Sequence, residues 1–179
     1  MNIKFVFLVQ FFLFTFLAIQ IESHFEFTNF ICESFDKTFG EFEYCFLKSV
    51  NRTYKYISGK FKPHRLPINK LRVNFALWKR YNGYKPFMYN ITFDVCSFLK
   101  NRNSNPVIKF IHDSHSNYSN INHSCPLNHD VILEKLPIEI LNHRLTKVLP
   151  FPEGDYLLRM YWLIGKNRTA LAEIYGTLS

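Results

Sequence analysis

The sequence predicts an all-β fold, an immunoglobulin-like antiparallel β-sandwich of seven or eight strands with one or two short helices after Cys96. Three observations carry that expectation. Short stretches alternate apolar and polar residues with a period of two, most clearly from Leu71 to Cys96. Turn-forming residues separate these stretches, at Asp36–Gly40, Asn82-Gly83, Pro150–Gly154 and Gly165–Asn167. An even set of four cysteines follows an apolar leader, the usage of a disulfide-stapled extracellular domain.

The leader comes first in the chain. Lys4 precedes an apolar run from Phe5 to Ile19, too short for a spanning helix and suited to the core of a signal peptide. Cleavage near Ser23 divides the 179 residues into a signal peptide, 1–23, and a single domain, 24–179. No second long apolar run follows, so the mature chain is expected to be secreted, extracellular and without a transmembrane span. Five sequons agree with that route, at Asn51, Asn90, Asn117, Asn122 and Asn167.

Residues 27–35 and 41–50 read as a hairpin around the Asp36–Gly40 turn. That pairing sets Cys32 opposite Cys45, Phe35 opposite Phe42 and Ile31 opposite Phe46. Of the three possible connectivities it favours Cys32–Cys45, which leaves Cys96–Cys125 by elimination. A third strand, 53–62, places Tyr54 and Tyr56 on one face and Ile57 and Phe61 on the other. Pro63 and Pro67 bracket the loop that follows.

The central hairpin has Val73, Phe75 and Leu77 on one face of its first arm, and Tyr89, Ile91 and Phe93 on one face of its second. A two-residue turn at Asn82-Gly83 sets Phe75 with Asn90, mixing apolar and polar residues. A three-residue loop with Gly83 left-handed and a bulge sets Phe75 against Tyr89, Leu77 against Phe87 and Val73 against Ile91. The same alternation turns the sequon residue Asn90 outward, beside Thr92 and Asp94.

After Cys96 a short helical turn is followed by a helix capped by Asn105, with Pro106 at its first position and its end near Ser114. Residues 116–130 read as an exposed loop anchored by Cys125. VILEKL, from Val131, fits a strand or a turn of helix, and LNHRLTKVL, from Leu141, reads as more strand-like. Asp155–Leu163 is apolar on both faces, with Tyr156, Leu158, Met160 and Trp162 on one of them, as in a central strand; Thr169–Leu178 pairs with it.

Catalysis finds no support. There is no nucleophile elbow, zinc-protease helix, phosphate loop or dinucleotide fingerprint. His112-x-x-His115, with His123 and His129 downstream, is the best metal candidate, and is read as surface histidines instead. Glu153 and Asp155 flank a turn glycine and are read as turn residues. The expectation is a non-enzyme with no metal and no cofactor.

The net charge is +8, and Lys55, Lys60, Lys62, His64, Arg65, Lys70 and Arg72 fall close together. They read as a solvated basic loop or as an attraction for a receptor or anionic surface. Nucleic acid is not a partner in that compartment. Twenty phenylalanines and ten tyrosines supply more aromatic surface than strands of this length ordinarily bury, as a solid core or as the lining of a cavity.

CESFDKTFGEFEYCFLKSVNRT, NFALWKRYNGYKPFMYNITFDVCSFLKNRNSNP, NHSCP and LPFPEGDY resemble a large insect family of small secreted proteins of unknown function. The resemblance spans residues 27–179 and extends to the ML-type lipid-recognition superfamily, which includes the ganglioside activator protein. It implies a single lipid-recognition-like sandwich for 24–179, and suggests a lipid or hydrophobic chemosensory compound as ligand. Two readings follow. In the first, a secreted non-enzymatic binding protein holds a lipid or other hydrophobic small molecule between its sheets, with Val73, Phe75, Leu77, Tyr89, Ile91, Phe93, Leu158, Met160 and Trp162 as cavity walls. In the second, an extracellular protein–protein or glycan interaction module has a solid core and binds through exposed aromatics and basic segment 55–72.

Overall fold

The computed structural model describes residues 24–52, 54–148 and 151–179, so the expected signal peptide, 1–23, lies outside the described residues. The chain forms an all-β sandwich of two antiparallel sheets with a few short helices. Its strands are β1 (Phe25–Ser34), β2 (Gly40–Ser49), β3 (Lys55–Pro63), β4 (Arg72–Tyr81), β5 (Gly83–Asp94), β6 (Val131–Pro137), β7 (Gly154–Ile164) and β8 (Asn167–Leu178). One sheet has the order β1-β8-β7-β4-β5 and the other the order β2-β3-β6.

The hairpin expected from 27–35 and 41–50 does not form. β1 pairs with β8, and β2 with β3, so the chain changes sheets at the Asp36 turn. Ile31 accordingly pairs with Glu173, Phe42 with Phe61 and Phe46 with Ser58, while the Phe35 ring stacks on Tyr161. Asp36 Oδ1 shapes the crossing by accepting hydrogen bonds from the Thr38 amide at 3.0 Å and the Phe39 amide at 3.3 Å. Cys32 and Cys45 are nevertheless bonded, at a Cα–Cα distance of 6.0 Å, and the bond ties one sheet to the other. Alternation brings both cysteines to the same buried cluster, which a hairpin and a sheet crossing serve equally well.

In the β4–β5 hairpin Gly83 has φ +92°, and Tyr81 pairs with Gly83, Arg80 with Tyr84 and Trp78 with Pro86. This is the register expected for the three-residue loop. A second irregularity intervenes between Ala76 and Trp78, where Phe87, Met88 and Tyr89 oppose Leu77 alone and Met88 has φ +57°. The partners beyond it are therefore Phe75 with Ile91 and Val73 with Phe93, two residues on from those expected. A two-residue slip preserves the side-chain parity of the strand, so the apolar face stays inward. Asn90 is exposed, and its Oδ1 accepts a hydrogen bond from Asn74 Nδ2 at 2.8 Å.

Two short helices follow. Asp94 Oδ1 accepts from the Ser97 amide at 2.7 Å and caps α1 (Val95–Lys100). Asn105 Oδ1 accepts from Val107 and Ile108 at 3.0 and 3.1 Å and starts α2 (Pro106–His115) where the sequence placed it. A Cys96–Cys125 bond ties α1 to the 116–130 segment.

VILEKL takes its strand alternative as β6. LNHRLTKVL is not strand-like: α3 (Ile138–His143) runs into a wider helical turn, Arg144–Val148. Ile138, Leu141 and Leu145 recur at i, i+3 and i+7, so a helix turns all three to the core and a strand cannot. β7 is the middle strand of its sheet, which explains its two apolar faces.

The interior forms two clusters. One gathers Phe39, Phe61, Leu71, Phe98 and Ile108 around Leu127. The other gathers Phe25, Phe27, Phe30, Ile57 and Leu136. Gly40 is one position where this packing demands glycine. A Cβ there would lie 2.6 Å from the Lys62 carbonyl oxygen and 2.7 Å from the Phe61 ring. Gly40→Ala is expected to destabilise the fold by about 1–3 kcal/mol, measured as a lower urea midpoint at unchanged m-value.

Candidate functional site

The inward face of the larger sheet is written in its pairings. Val73 lies beside Trp162 and Phe93, Phe75 beside Met160 and Ile91, and Leu77 beside Leu158. The two short side chains Ala170 and Ala172 continue the same face onto β8. Eight of the nine expected wall residues thus share one surface, and Tyr89 sits half-buried in the β5 irregularity. Phe75 is buried; Val73, Leu77, Ile91, Phe93, Leu158, Met160 and Trp162 are half-buried.

Aromatic groups close this face at both ends. At one, Trp162 meets Phe61 and Phe42 of the opposite sheet at ring distances of 4.9 and 5.9 Å. At the other, Phe87, Phe151 and Tyr156 form a triangle with ring distances of 5.8 to 6.4 Å. Lys79 Nζ lies over this second group, 5.7 Å from the Phe87 ring and 5.4 Å from that of Tyr156. Burial pushes the Tyr156 phenol up to about 12, and its hydroxyl donates to the Pro152 carbonyl. Between these ends lie Phe75, Leu77, Leu158 and Met160.

The outward face carries an ordered polar network beside buried Ala76, Leu157 and Leu171. Arg159 Nε donates to Glu173 Oε1 at 2.6 Å, and the Tyr175 hydroxyl donates to Glu173 Oε2 at 2.9 Å. The Arg159 guanidinium also covers the Trp78 ring at 5.2 Å. All five sequon asparagines are exposed.

The basic segment 55–72 is not the loop expected. Lys55, Lys60 and Lys62 belong to β3, the middle strand of the smaller sheet. Lys55 pairs with Glu26, and Lys60 with Glu43 at 2.8 Å and Asp130 at 3.2 Å, which together hold its ammonium above the usual lysine range. His64 Nε2 lies 3.8 Å from Glu41, and Arg65 donates to Thr38 Oγ1 at 3.3 Å. Glu26 of β1, Glu43 of β2 and Asp130, just before β6, thus answer the charge of Lys55 and Lys60; they lie on other elements, so their approach was not legible in the sequence.

Residues 73–158 match a domain of unknown function, DUF1091. Among curated proteins none matches the chain. The matched stretch holds the β4–β5 hairpin, α1, α2, β6 and α3, and ends within β7 at Leu158, so Met160 and Trp162 lie beyond it.

The four histidines of the metal candidate divide into two pairs. His123 is exposed, and its Nε2 meets His129 Nε2 at 2.6 Å, a hydrogen bond in which one ring donates to the other. His112 and His115 are not the surface residues expected. Both lie on α2, their ring centres are 5.8 Å apart, and His112 is only 6% exposed. His112 packs against Phe98 at 5.5 Å, and Phe98 against the wall residue Phe93 at 5.9 Å. The signal available in the sequence was their spacing from Ile108, which places all three near the same helix face. Among the described residues no group of three or more His, Cys, Asp or Glu side chains is arranged to hold a metal ion.

His115 donates from Nδ1 to the Ile111 carbonyl at 2.8 Å. Burial pushes its imidazole down to about 4, from an ordinary value of 6.5. The unfolded chain therefore binds a proton that the folded chain refuses. The neutral ring's contribution is fully present above pH 6.5 and is lost as pH falls toward 4. Thermal melts across this window should show His115→Asn losing less stability on acidification than the parent, by on the order of 2 kcal/mol.

Proposed function

We propose that this protein is a secreted, non-enzymatic binding protein that holds a lipid or other hydrophobic small molecule between its two sheets. One observation carries the reading. The inward face of β4, β5 and β7 is apolar along its length, yet seven of its residues are only half-buried, because three strands stand opposite five. An apolar guest completes the burial that the smaller sheet leaves unfinished. The aromatic groups at either end bound the space along the strands, and Leu77, Leu158 and Met160 line its middle.

The resemblance to lipid-recognition proteins supports this reading, and two features support secretion. Two disulfides suit an oxidising compartment, and the five exposed sequon asparagines suit glycosylation. Among the described residues no helix is long and apolar enough to cross a membrane. Binding here means partitioning. Covering ~300 Å² of ligand surface supplies about 7 kcal/mol gross at ~25 cal/mol per Å², before the cost of association. The reading as an interaction module draws less support, since two of the four lysines in its basic segment, Lys55 and Lys60, are paired with acids.

Uptake of a fluorescent fatty-acid probe by the secreted, glycosylated protein tests the proposal, with native mass spectrometry for any co-purified ligand. Leu158→Trp and Met160→Trp fill the middle of the face. Each is expected to weaken probe binding at least tenfold, about 1.4 kcal/mol, while circular dichroism stays that of the parent. A protein that neither carries a ligand nor takes up the probe would refute the reading.

A further inference from the structure

Only three buried side-chain nitrogens or oxygens lack a hydrogen-bond partner among the described residues, and two of them are Nδ1 and Nε2 of His112. Interior polar groups are ordinarily satisfied, and leaving one unpaired costs as much as its lost hydration. The ring is 6% exposed, so bulk water does not serve it. Nothing in the packing requires a histidine there: its contacts with Phe98 and His115 are ring contacts that phenylalanine makes as well.

Two neighbours limit what His112 can do. Asp113 Oδ1 stands 3.5 Å from His112 Nδ1, too far for a good hydrogen bond but placed to favour the proton on Nδ1. The Asp113 carboxyl is itself held below its usual range, chiefly by a hydrogen bond from Lys109. His112 Nε2 is then a lone pair in a dry, aromatic setting, one ring behind the wall residue Phe93. A lone pair asks for a donor.

We propose that His112 is the polar anchor of the bound molecule, with Nε2 accepting a hydrogen bond from a hydroxyl group on an otherwise apolar ligand. The inference rests on the binding reading above and adds the ligand's chemical class, a long-chain or polycyclic alcohol in preference to an ether, ester or hydrocarbon. A neutral hydroxyl suits the site, because an ionised headgroup would carry its charge into the same dry surroundings.

The test uses the full secreted protein, with 1-dodecanol and its methyl ether displacing an uncharged fluorescent naphthylamine probe. The parent should bind the alcohol about tenfold more tightly than the ether, the worth of one buried hydrogen bond. His112→Phe should bind both equally, keep the parent's affinity for the ether, and melt no lower than the parent, since it removes a buried nitrogen that has no partner. Should His112→Phe fail to fold, His112→Gln serves, keeping an acceptor and part of the preference. A His112→Phe protein that still prefers the alcohol overturns the anchor while leaving the binding reading intact. A parent that binds both ligands without preference does the same. A parent that takes up no probe removes the binding reading, and the anchor with it.

Discussion

Five strands face three, and the rest of the molecule answers that imbalance. A sheet with one apolar face has to cover it, and an opposing sheet covers only as much as its own width. Here β2, β3 and β6 cannot span β1, β8, β7, β4 and β5 together. The deficit falls where helices and loops replace a fourth and fifth opposing strand, and there the apolar side chains remain half-buried. Cys32–Cys45 fixes the two sheets at one edge, while Cys96–Cys125 fastens the helical segment that follows β5.

Strand parity keeps that inward face apolar despite its irregularities. Gly83 and Met88 each adopt positive φ within β5: the bulge at Gly83 sets the register that brings the two apolar faces together, and the irregularity at Met88 shifts it by two residues and keeps them together. The second irregularity lies on the sheet's edge strand and exposes Met88 at 65%, a local twist of the kind that hinders further strand pairing. Asn90 stays on the wet face, hydrogen-bonded to Asn74, so a sugar on its Nδ2 would stand clear of the core.

Charge is placed with similar economy. Glu173 is 8% exposed on the outward face and is held by Arg159 and Tyr175, so its burial is matched by two donors. Lys60 is shared by two carboxylates from different strands. Against this background of satisfied groups His112 stands apart: its Nε2 has no partner, and its Nδ1 has only the Asp113 carboxylate at 3.5 Å. A protein that only needed a solid core at that place would do better with an apolar ring.

Local pattern carried much of this in the sequence. Period-two alternation sets the faces of β4, β5 and β7, Asn105-Pro106 starts a helix, Asn82-Gly83 turns a hairpin, and each acts over a few residues, within reach of the chain's own neighbours. What it lacked was the partner at long range. Residues 27–35 and 41–50 look like a hairpin because both are strands joined by a tight turn, yet β1 gains more by adding to the edge at β8 than by folding back on β2. The helical face of Ile138, Leu141 and Leu145 competes with a strand reading until a core exists for it to cover. The acids that pair with Lys55 and Lys60, and the Phe98 ring that packs on His112, come from other elements. The sequence by itself determined which side of each element is apolar. Tertiary structure alone decided which faces are fully covered, since coverage depends on the relative widths of two assembled layers.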